Sequence, residues 1–136
     1  MKNSFLNARR WLRQAEYDFE QAEKSFDDKS YAYAAFFSEQ SAQKSLKAAL
    51  FKSGKRAITI HSIAELAKEA AAVADKSFAE LVESGARLDR HYLAARYPDA
   101  LPEPATPFES YVEQDAAEAI AFARKILSAA KKFVER

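Results

Sequence analysis

Two glycines, Gly54 and Gly85, serve the whole chain, and its four prolines all fall between Pro98 and Pro107. A β-rich fold needs frequent tight turns, and this chain lacks the residues that make them. Alanine, glutamate, lysine and leucine dominate instead, and these favour helices. The spacing of apolar residues agrees. Phe5, Ala8, Leu12, Ala15, Phe19, Ala22 and Phe26 step by three and four, which predicts a helix over about residues 3–27. Asp27-Asp28-Lys29-Ser30 is a polar break with Ser30 placed to cap the next helix. That helix is expected over about 31–53, with Ala35, Ala42, Leu46 and Ala49 as its core stripe and Gly54 as its stop.

Three later Ser-x-x-Glu patterns, Ser62/Glu65, Ser77/Glu80 and Ser110/Glu113, are capping boxes, in which each side chain satisfies an orphan amide of a first turn. Thr106-Pro107 offers an earlier start for the last, with proline at the first helical position. The expected elements are a short helix over about 63–73 and longer ones over about 78–96 and 108–134. The expected fold is all-α, an antiparallel up-and-down bundle of four long helices plus one short one. Residues 1–136 are read as a single domain, because neither side of the proline-rich segment is large enough to fold alone.

The net charge of +1 gives no broad field for nucleic acid or acidic partners, so such binding must rest on a local patch. No cysteine is present, which excludes disulfides, thiolate metal sites and cysteine nucleophiles. No His-Glu-x-x-His, glycine-rich phosphate loop or Gly-x-Ser-x-Gly is found, and the two histidines, His61 and His91, are too far apart in sequence to suggest a metal pair. No metal and no cofactor are expected. Neither a signal peptide nor a membrane span is apparent, so a cytoplasmic location is expected.

Two segments carry unusual chemistry. On the second helix Tyr33, Phe37, Gln40, Lys44, Lys47 and Phe51 share one narrow arc, mixing amines with aromatics where an amphipathic helix would separate them. One reading is lysine stems lying over rings at the edge of the core. The other is a cationic, aromatic-lined face for an anion, a base or a second subunit. Ser41, Ser45 and Ala48 behind it are also small, so burial on more than one side is expected, which favours a dimer. The second segment is Arg87 to Asp99, where Asp89, Tyr92 and Arg96 step by three and four ahead of Pro98. These three form either an intrahelical polar ladder or part of a site. In the second case Lys44, Lys47, Tyr92, Arg96, Tyr97 and Asp89 line one cleft, the cations holding phosphates and a tyrosine stacking a base.

The order of these pieces resembles the HEPN family. Tyr33 to Leu50 is similar to that family's second helix, which reads like A-x-F-x-x-Q-Q-A-x-E-K-x-L-K-A, with departures at Glu39 and Gln43. His61-Ser62-Ile63, then Asp89, Tyr92 and Arg96-Tyr97-Pro98-Asp99, and finally Asp115-Ala116 follow in register. The resemblance implies a helical bundle that forms a homodimer and binds nucleotide or RNA. It also implies a partner minimal nucleotidyltransferase in a toxin–antitoxin-like pair, with Tyr92 or Tyr97 as a candidate acceptor of a nucleotidyl group. The alternatives are a metal-independent endoribonuclease with an Arg-x(4–6)-His motif and a purely structural interaction dimer. Arg56 to His61 spells Arg-x4-His but falls after the second helix, whereas the nuclease motif belongs at the later one. There Arg87 and His91 stand one turn apart as the candidate catalytic pair, with three residues between them instead of four to six.

Overall fold

The computed structural model describes residues 3–136, and among these every regular element is helical. Helix α1 (Ser4–Asp27) and helix α2 (Tyr31–Lys52) form an antiparallel pair joined by a tight turn. The α1 stop is a left-handed residue, Lys29 at φ 62°, with Ser30 N donating to Ser25 O and Lys29 N to Phe26 O. The α2 stop repeats this geometry with Gly54 at φ 100°. Lys55 N reaches Leu50 O and Gly54 N reaches Phe51 O, so the last carbonyls are satisfied as the glycine predicts. Ser30 occupies the cap position of α2, although its side chain makes no capping bond.

Helix α2 is the axis of the molecule, with 15 of its 22 residues buried. A central helix must hide its polar groups as well as its apolar ones, and its serines do so on backbone carbonyls. Ser38 Oγ donates to Ala34 O, Ser45 Oγ to Ser41 O, and Ser41 Oγ crosses to Ala15 O of α1 at 2.7 Å. The small pair Ala15 and Ser41 lets the two backbones approach closely. The second buried side of α2 is therefore covered by α1 within one chain, which removes the reason for assigning it to a second copy.

Helix α7 (Glu113–Glu135) lies alongside both. Glu16 pairs with Lys131 and Glu23 with Arg124, which sets α7 antiparallel to α1. Lys52 Nζ donates to Phe133 O and Arg136 O at the shared end of α2 and α7. Helix α3 (Ile63–Val73) begins where expected, with Ser62 Oγ accepting from Glu65 N at 3.2 Å.

The helix expected over 78–96 is not continuous. A 3-10 turn, Lys76–Leu81, leads into α4 (Val82–Asp89), and after Arg90 a single turn, α5 (His91–Ala94), follows. The 3-10 turn is capped by Asp75, which accepts from Ser77 N, and not by Ser77. The break follows Asp89, whose carboxylate is drawn away to another helix. Likewise, Ser110/Glu113 is not the last cap. Pro107 opens a separate turn, α6 (Pro107–Ser110), and α7 begins after Val112, whose N–H donates to Asp115. The bundle thus has three long helices, with shorter pieces packed across α2 and α7 in place of the fourth. No helix is long and apolar enough to cross a membrane among the described residues.

Candidate functional site

The polar residues of α2 that have no place in an apolar core converge on the α3 start and on α5. Glu39 is fully buried. Its carboxylate accepts from Gln40 Nε2 at 2.7 Å and Gln43 Nε2 at 2.9 Å. Burial pushes its carboxyl up to about 7, with nearby Asp89 raising it and Arg96 opposing. Gln43 Oε1 in turn accepts from Lys47 Nζ at 3.0 Å and stands 3.4 Å from His61 Nδ1. The exposed His61 ring stacks on Tyr92 with centroids 5.9 Å apart. One connected network thus joins α2, the α3 start and α5.

Asp89 belongs to this region but serves α3. Its carboxylate accepts from Ile63 N at 2.6 Å, Ala64 N at 3.1 Å and Ser62 Oγ at 2.9 Å. A helix N-terminus presents unpaired N–H groups and partial positive charge, so a carboxylate there is favourable. The alternative, pointing along α4 toward its own C-terminus, would meet the negative end of a dipole. The anticipated ladder therefore divides: Asp89 turns to α3, while Tyr92 and Arg96 remain together.

Arg96 occupies an aromatic cage. Its guanidinium carbon lies 4.4 Å from the Phe36 ring centre, 4.9 Å from Tyr97 and 5.1 Å from Tyr92. Its Nε donates to Tyr92 O at 3.1 Å. No carboxylate ion-pairs with it among the described residues. Cation–π contact holds the plane of the group without using its remaining N–H donors. Arg96 also lines a cavity of about 410 Å³ whose lining includes Lys29, Tyr31, Tyr33 and Phe108.

The two lysines lie toward α1. Lys44 Nζ forms a 2.6 Å ion pair with Asp18 and lines a different cavity from Arg96. Lys47 is 6% exposed, with its amine 5.6 Å from the Trp11 ring, and burial lowers its pKa. Lys47 connects to the Arg96 region indirectly, through Gln43 to Glu39 and through Gln43, His61 and Tyr92.

Arg87 and His91 turn to different partners. Arg87 faces Glu118 at 3.9 Å, while His91 Nδ1 meets the Tyr111 hydroxyl at 2.7 Å. Burial lowers the His91 pKa and pushes Tyr111 up to about 12, so the pair is neutral near pH 7. Arg56 is exposed on the connection after α2. No group of carboxylates and histidines suited to a metal ion occurs among the described residues.

Sequence reasoning placed Arg96, Tyr92 and Tyr97 together but missed Glu39 as a buried acid. It also missed Tyr31 and Phe108 as cavity walls. A signal for Glu39 was present: it fills the gap between Ala35 and Ala42 in the apolar stripe of α2.

A model of the HEPN domain matches residues 8–133. Among solved structures, the chain is similar to TT1696 from Thermus thermophilus, with 34% identity and a TM-score of 0.80 over 92% of this chain and 96% of that one. It is also similar to ST0689, described as an archaeal HEPN homologue, with 34% identity and a TM-score of 0.74 over 98% and 99%. A HEPN domain protein from Thermotoga maritima, tm0613, gives 25% identity and a TM-score of 0.71 over 93% and 98%. No curated protein matches.

Proposed function

The chain belongs to the HEPN domain family, and from that premise we propose a nucleotide- or RNA-binding protein that acts as a homodimer beside a partner minimal nucleotidyltransferase in a toxin–antitoxin-like pair. The observation that carries the binding reading is the caged Arg96. It has three rings against it and no carboxylate partner among the described residues, and it lines an aromatic cavity. Guanidinium donors held in a fixed plane suit phosphate oxygens. Lys29 at the same cavity supplies a second charge, and Tyr33 and Phe108 offer faces for a base. The cavity is of the size that small-ligand sites usually have.

The dimer reading draws support from Leu93, Tyr97, Phe108 and Val112, which are large apolar residues left exposed between α5 and the α7 start. A cleaving role is less well supported, because His91 Nδ1 is engaged by the Tyr111 hydroxyl and Arg87 faces Glu118. The test is calorimetric titration with nucleoside mono- and triphosphates and a short RNA, at two salt concentrations. Wild type should bind, more weakly at the higher salt. Arg96→Ala should bind about tenfold or more weakly, since a charge-assisted hydrogen bond is lost, while retaining its helical signal. Equal affinity in the two proteins, or no binding by either, would refute the reading.

A further inference from the structure

A second cavity, about 670 Å³ and open to solvent, lies between α1 and α2 and is lined by Arg10, Trp11, Arg13, Gln14, Tyr17 and Lys44. Its walls follow from helical spacing: Arg10, Arg13, Gln14 and Tyr17 step by three, four and seven along one face of α1. Its charge is lopsided. Neither Arg10 nor Arg13 is ion-paired among the described residues, and Lys44 is held by Asp18. Asp18 is itself buried and also takes Gln14 Nε2 at 3.0 Å. Behind Trp11 stands the buried amine of Lys47, bonded to an amide oxygen instead of a carboxylate.

Arg10, Arg13 and Lys44 thus line a cavity whose wall holds no acidic residue, and only Lys44 has a carboxylate partner, in a chain whose whole net charge is only +1. Like charges a turn apart repel, and nothing in the fold requires Arg10 and Arg13 to stand together, because both are exposed. An anion with several negative oxygens would relieve that repulsion. The aromatic part has a separate origin. Trp11 is only half-buried, one part packed on Phe51 with centroids 5.3 Å apart, and it borders the cavity with the exposed Tyr17. Indole and phenol beside a cationic wall match a base attached to a phosphate chain.

We propose that the α1–α2 cavity is a second binding site, taking a phosphate chain that carries a nucleobase, with Arg10, Arg13 and Lys44 on the phosphates and Trp11 or Tyr17 on the base. It uses no residue of the Arg96 cavity and stands whether or not that cavity binds. Two sources share this chemistry, a free nucleoside triphosphate and a single-stranded RNA segment.

Trp11 is the only tryptophan and it lines this cavity, so its emission reports on the cavity's occupancy. Titrations with adenosine triphosphate and with a five-nucleotide single-stranded RNA should change that emission saturably for at least one probe, and the tighter probe identifies the source. The double variant Arg10→Ser/Arg13→Ser, altered only at exposed positions, should weaken the response about tenfold or more. Arg96→Ala should alter it less than twofold. No saturable change with either probe would overturn the proposal. So would an undiminished response in the double variant, or a response lost in Arg96→Ala and kept in the double variant.

Discussion

Replacing Asp89 by alanine removes the cap of α3 from a different helix. Three donors lose their acceptor: Ile63 N, Ala64 N and the Ser62 hydroxyl. Loss of a capping side chain costs about 1–2 kcal/mol. Loss of a carboxylate from a helix N-terminus adds about 0.5–1 kcal/mol. The expected loss is therefore about 1.5–3 kcal/mol, toward the lower end where water replaces some of the bonds of these part-buried groups. For a domain of this length, 1 kcal/mol moves the melting midpoint by roughly 3–4 °C, so Asp89→Ala should melt about 5–12 °C lower. Asp89→Asn keeps one oxygen and gives up the charge, and should lose about half as much. Thermal and urea denaturation followed by circular dichroism measure both variants. Amide exchange at Ile63 and Ala64 should accelerate more than exchange in α7. A midpoint for Asp89→Ala within about 2 °C of wild type, or unchanged exchange at those two amides, would show that the carboxylate does not hold the α3 start.

Other substitutions follow from equally local geometry. A Cβ at Gly85 would stand 2.9 Å from Ile63 Cγ2 and 3.0 Å from Ala64 N, so Gly85→Ala should lower stability by about 1–2 kcal/mol despite alanine's better helix propensity, as urea denaturation would read. Lys29 sits at φ 62°, and Lys29→Gly should raise the urea-derived stability by up to about 1 kcal/mol, because glycine takes the left-handed conformation without strain. Glu39 has its carboxyl raised by burial to about 7 from 4.5, so the folded state holds a proton that the unfolded state releases. Stability from this group is full below about pH 4.5 and falls until about pH 7, by an amount on the order of 3 kcal/mol. Glu39→Gln should flatten that stretch of the stability–pH curve, and a wild-type slope in the variant would contradict it.

The fold was legible because its signals are local. Scarce glycine, the three-four stripe of α1, the Gly54 stop and the Ser62 cap each act within a few residues of themselves, and the structure keeps the helices and both helix ends they specify. What sequence could not give depends on contacts between distant segments. Asp89 reads as a member of a ladder until α3 is brought beside it, and a carboxylate finds better company at another helix's N-terminus than at its own C-terminus. The Ser77 and Ser110 boxes lost to Asp75 and Asp115 because several small polar side chains compete near each helix start, and spacing alone does not decide among them. The Lys44–Lys47 face was visible as a stripe, but its neighbours were not. α1 supplies Asp18 and Trp11 to it, so the lysines lie toward α1 and Arg96 toward another cavity.

Whether Arg96 receives a phosphate-bearing ligand can be read at the side chain itself, from its Nε–Hε resonance in nitrogen-15 correlated NMR spectra. Assignment by Arg96→Lys allows that signal to be followed during titration with a nucleoside monophosphate, alongside Arg87 and Arg136 as internal references. A phosphate held by Arg96 should produce a saturable shift there, with the ring protons of Tyr33 and Phe108 moving at the same ligand concentration and Arg87 and Arg136 staying still. An Arg96 resonance that stays still while binding is seen elsewhere, or a shift shared equally by all the arginines, would contradict it.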